Sequence, residues 1–129
     1  MYIRVTLDQI RMFHDMLLEQ YGGLPGEKEP GLIESMVEKP FSGFGNYEFY
    51  PGLFMKAAVY LEGFATKQLF NDGNKRTALL CALTFLDLNG YEVDVEWDTL
   101  FDLTIAVAKK ELSLEELAVW LEENSIPYT

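Results

Sequence analysis

The stretch Ala78–Leu86, ALLCALTFL, spreads Ala78, Leu79, Leu80, Ala82, Leu83, Phe85 and Leu86 around every side of a helix instead of along one stripe. A helix that is apolar all round has to be covered by other elements. The run contains Thr84 and falls far short of the ~20 apolar residues of a membrane span, so its cover must come from protein. The rest of the chain reads as that cover. Thr6 and Gln9 form a capping box, and Leu7, Ile10, His14, Leu17, Leu18 and Tyr21 follow on one helical face until Gly22-Gly23 and Pro25-Gly26. A short second helix is expected over 31–38, bounded by Pro30 and Pro40. After Pro51 a long third helix carries Phe54, Ala57, Ala58, Leu61, Phe64 and Ala65 at 3-and-4 spacing. Gln68 is the next position of that stripe, which predicts that it points inward. The central helix runs over 74–86 and stops at Asn89-Gly90, followed by an extended connector over 91–95. A fifth helix is expected over 96–108. Ser113 and Glu116 make a second capping box for a sixth helix that ends near Glu123. The expectation is an all-α fold: one compact domain over 1–129 with about six helices, no internal repeat and no second domain.

Composition agrees with one globular domain. The chain weighs 14.8 kDa with 49% apolar and 24% charged residues. Its single cysteine, Cys81, lies in the apolar run and reads as a small buried hydrophobe in a reducing compartment. The first ten residues hold no long apolar stretch, so a soluble, cytoplasmic protein is expected. A formal charge of −11 argues against nucleic acid and anionic membrane as partners. Against that background Lys67, Lys75 and Arg76 stand out as a cluster of three among ten basic residues.

Lys67 adjoins, and Lys75 and Arg76 lie within, QLFNDGNKRT, Gln68–Thr77, which leads into the central helix. Gly73 permits a turn that a β-carbon would resist, and Asp72 is a good N-cap. The first helical turn leaves N–H groups unpaired at the positive end of the helix dipole, which makes an anion site. Lys75 adds a mobile point charge and Arg76 a planar fork, both suited to phosphate oxygens. Asp72 beside phosphate calls for Mg²⁺, which takes one or two carboxylates together with phosphate oxygens. The plain alternative is a capped helix with two solvated cations. A Walker A loop is excluded, because Asn74 separates Gly73 from Lys75.

The same residues resemble the signature loop of the Fic/Doc family, H-x-F-x-[DE]-G-N-[GK]-R. The segments over 21–35, 60–93 and 102–121 are similar in order and spacing to its death-on-curing (Doc) branch. Lys75, where Fic adenylyltransferases carry glycine, favours that branch. The resemblance implies the Fic fold, with ATP and Mg²⁺ as ligands. Phe70 would anchor the loop and Asp72 would bind Mg²⁺. Gly73, Asn74 (amide and side chain), Lys75 and Arg76 would hold phosphate and neutralise charge on the transferring group. It implies transfer of the ATP γ-phosphate to a hydroxyl of elongation factor Tu, and neutralisation by a Phd-type antitoxin that folds into a groove. The departure is Gln68, which stands where the family has its catalytic-base histidine. A carboxamide has no basic nitrogen, and losing a general base costs on the order of 10²–10⁴ in rate. Two alternatives stay open: Fic-type AMP transfer, and a catalytically silent module that binds nucleotide or antitoxin.

Three further features have two readings each. FSGFGNYEFY, 41–50, places aromatics around a Gly45-Asn46 turn, a hairpin signal. In the family a comparable flap aligns the target peptide, and the alternative is an aromatic-anchored surface loop. His14, the only histidine, is a displaced base or a core histidine with a hydrogen-bond partner. Trp97 and Trp120 read as core anchors of the last two helices.

Overall fold

The structure is a computed structural model and describes residues 1–128. Among the described residues six α-helices form, in order α1 (Leu7–Tyr21), α2 (Pro30–Glu38), α3 (Leu53–Thr66), α4 (Asn74–Leu88), α5 (Trp97–Ala108) and α6 (Leu114–Glu123). A 3₁₀ turn, Lys39–Phe41, and a hairpin of β1 (Gly43–Phe44) and β2 (Tyr47–Glu48) lie between α2 and α3. The all-α architecture with a flap ahead of the third helix is therefore the observed one. No helix among the described residues is long and apolar enough to cross a membrane.

Both capping boxes close as read. Thr6 accepts from the Gln9 amide and Ser113 from the Glu116 amide, with each N3 side chain returning the bond. Hydrogen bonds from the Ser113 amide, foremost, and from its hydroxyl hold the Glu116 carboxyl below the usual carboxylate range.

α3 and α4 pack along each other at the centre, with α1 against α4, α6 against α3, and α5 against both. α4 is buried as its composition demands, through Ala78, Leu79, Cys81, Ala82, Phe85 and Leu86. Cys81 is fully enclosed, and burial pushes its thiol pKa well up. α3 exceeds its expected stripe: Val59, Tyr60 and even Lys56 are buried too, because helices cover it on several sides. Gly63 lets α2 approach it, since a β-carbon there would collide with the Met36 sulfur.

Two expectations change. The connector after Gly90 is β3 (Tyr91–Val93), paired antiparallel with β4 (Ser125–Pro127), and not an isolated extended run. Three-residue strands are too short to carry a readable period. Trp97 is exposed, because it begins α5 beyond the helices that cover the core; Trp120 is half-buried as expected.

Candidate active site

The loop between α3 and α4 takes its shape from how each helix ends. α3 stops at Thr66, and the Lys67 amide closes it by donating to the Gly63 carbonyl at 3.1 Å. Gln68 then turns the chain with φ +50°, a left-handed conformation uncommon for a residue with a side chain. Gln68 is therefore off the α3 stripe and exposed, which corrects the inward-facing expectation. The 3-and-4 phase of α3 ends with its last helical residue, Thr66. Gln68 still lines the cleft described below.

The next residues are pinned. Leu69 and Phe70 are buried, and Phe70 forms an antiparallel bridge with Glu27. The Lys28 amide donates to the Leu69 carbonyl and the Asn71 amide to the Gly26 carbonyl, both at 3.0 Å. Arg11 of α1 grips Glu27 with two nitrogens, at 2.7 and 3.1 Å. His14 stacks on Phe70 with ring centroids 3.8 Å apart and bonds the Asp72 carbonyl at 2.8 Å. A carbonyl only accepts, so Nε2 is the donor there. The geometry matches the core reading of His14: it is buried, partnered and props the loop.

Gly73, at φ +74°, occupies the N-cap of α4, and no side chain caps that helix. This corrects Asp72 as the cap. Its Oδ1 accepts from the adjacent Gly73 amide at 3.0 Å and its Oδ2 from the Leu24 amide at 3.2 Å. Drawn toward the preceding loop, the carboxylate leaves the first-turn amides of α4 open. Those N–H groups and the helix dipole are what an anion site requires. The Asn74 carboxamide is engaged at both ends. Its Oδ1 accepts from the Phe70 amide at 3.0 Å and its Nδ2 donates to the Phe70 carbonyl at 3.1 Å. What Asn74 offers a ligand is its main-chain N–H.

Gln68, Asp72, Gly73, Asn74, Lys75 and Arg76 all line one cleft of about 270 Å³, closed on the α5 side by Phe101. Arg76 lies over the Tyr21 ring, 4.4 Å from its centroid, a cation–π contact that steadies the guanidinium. Lys75 is exposed and in no ion pair among the described residues. Tyr21 and Phe101 join the site from α1 and α5, and no spacing signal in the sequence links them to it.

Asp72 is the one acidic residue lining the cleft. Among the described residues no three His, Cys, Asp or Glu side chains cluster as a metal cage. A lone carboxylate at an anion site fits Mg²⁺, whose other ligands are then phosphate oxygens and water. A larger groove of about 830 Å³ runs beside the loop, lined by Leu32, Met36, Phe41 and Leu69 with Lys39 and Lys67. It contains none of the open amides, so the smaller cleft is the candidate for phosphate chemistry. Lys67 thus parts from Lys75 and Arg76.

Residues 4–86, which include the flap and the whole loop, match the Fic/DOC family. The chain belongs to that family. It is 38% identical over 114 residues to the "Protein kinase doc" of Escherichia phage P1, covering 88% of this chain and 89% of that protein. It is 35% identical over 103 residues to the "Toxin Doc" of Mycolicibacterium smegmatis, covering 78% and 79% respectively.

Proposed function

We propose that this chain is a Doc-type toxin scaffold that binds ATP with Mg²⁺ and directs the γ-phosphoryl group toward a Ser/Thr hydroxyl of elongation factor Tu in the cytoplasm. The observation that carries this reading is the open first turn of α4, with Lys75, Arg76 and Asp72 in one cleft. The likeness to a relative named as a protein kinase supports phosphate over nucleotidyl transfer.

In this reading the amides of Asn74, Lys75 and Arg76 cradle phosphate oxygens, and Arg76 holds them in a planar fork. Lys75 follows the charge as it builds on the transferring group. Mg²⁺ bound at Asp72 would neutralise the phosphates. The target oxygen forms a bond to the γ-phosphorus as the bond to the β–γ bridging oxygen breaks, and the hydroxyl proton must leave. Gln68 cannot take it, so the proton passes to water and the reaction is slow. A Phd-type antitoxin would neutralise the active form by folding onto the toxin.

Gln68 also favours a second reading: a silent member that still binds nucleotide or antitoxin. Gln68→His separates the two. Both forms are incubated with elongation factor Tu and ATP labelled at the α- or the γ-phosphate. The expected result is γ-label transferred about 10²–10⁴ times faster by the histidine form. Transfer of α-label would replace the kinase with an AMP transferase. No transfer by either form, with ATP still bound, would leave the silent module.

A further inference from the structure

One charged side chain lies deep in the core and away from the cleft. Lys56, on α3, is 1% exposed. Its Nζ donates to Glu48 Oε1 at 2.9 Å and to the Tyr50 carbonyl at 2.5 Å. The rings of Phe41 and Tyr2 face it at 5.6 and 6.0 Å. Burying an ammonium costs stability, and its one charged partner, Glu48, is itself exposed and so offsets little of that cost. Stability alone therefore does not account for a lysine at this position.

What Lys56 holds does account for it. Glu48 ends β2 and Tyr50 lies just beyond it, so one ammonium fixes the strand and its exit. The hairpin has little else to hold it in place. Phe44, Tyr47 and Phe49 are all exposed, and the hairpin closes on itself through the Phe49 amide and the Ser42 carbonyl. A two-stranded hairpin is marginal without outside support. We infer that Lys56 is a positioning residue: through Glu48 and Tyr50 it sets the flap so that its open strand edge can pair with an extended segment of the target protein. This rests on the proposed protein target. It adds the residue that orders the docking edge.

The test compares Lys56→Met and Glu48→Gln with the unsubstituted chain. Methionine keeps the apolar length of lysine. Glu48 is exposed, so its variant folds even if the first does not. Hydrogen exchange over 43–49 should quicken about tenfold in Lys56→Met and less in Glu48→Gln. The thermal midpoint of Lys56→Met should fall only modestly, because Glu48 is exposed and only the Tyr50 carbonyl loses its donor. Affinity for ATP with Mg²⁺ should stay within about twofold, while affinity for elongation factor Tu falls about tenfold. Unchanged flap exchange in both variants overturns the inference, and so does a loosened flap with Tu affinity intact. If the unsubstituted chain does not bind Tu, that target fails, and the exchange rates alone decide whether Lys56 sets the flap.

Discussion

The loop over 69–74 lines the candidate cleft and the flap over 43–50 leads into α3, and the two are held in opposite ways. The loop is built into the molecule: Leu69 and Phe70 are buried, Glu27 bridges to Phe70, His14 stacks on Phe70 and Asn74 clasps its main chain. The flap keeps Phe44, Tyr47 and Phe49 in solvent, and only at its exit is it tied to the body, by Tyr50 packing on the core and by the buried Lys56. A phosphate site gains from rigidity, because preorganised donors need no reorganisation during transfer. A surface that meets a protein partner gains from adjustability. Gln68 sits at the edge of the rigid loop, exposed and left-handed, outside the bonds that fix its neighbours.

The largest expected contrast comes from removing one aromatic ring from each region. Phe70→Ala should cost about 3–5 kcal/mol in urea unfolding, as for a fully buried phenylalanine, while Phe44→Ala should stay within about 0.5 kcal/mol. Similar losses at both sites would break the distinction. Asn74→Ala comes next. It leaves the Phe70 amide and carbonyl without partners, which costs about 1–3 kcal/mol, and calorimetric titration should show weaker ATP binding as the cradle loosens. Gly73→Ala is the smallest. A β-carbon there meets His14 and Leu18 at an ordinary 3.6 Å, so the cost is the left-handed backbone, about 1–2 kcal/mol by thermal unfolding.

What could be read from the sequence follows from how local the signals are. The capping boxes at Thr6 and Ser113 are side-chain-to-amide bonds three residues apart, so four letters carry them. The burial of α4 followed from apolar residues on every side of it. The Gly45-Asn46 turn announced the hairpin. What escaped was set by partners distant in sequence. β4 exists because Ser125–Pro127 meets Tyr91–Val93. Asp72 is drawn from the cap by the Leu24 amide. Lys56 is buried because Glu48 and Tyr50 receive its charge. That the six candidate residues line one cleft could be read as a set, because they fall within nine consecutive positions. Gln68 was misplaced in orientation because α3 ends two residues before it.

The central claim is that the loop keeps its binding half while lacking its proton acceptor. Titrating ATP with Mg²⁺ into the unsubstituted chain and into Gln68→His tests it most directly. Because Gln68 lies outside the amide cradle and the two cations, the two dissociation constants should agree within about twofold. An unsubstituted chain that binds no ATP, beside a histidine form that does, would contradict the account and make residue 68 part of the nucleotide site itself.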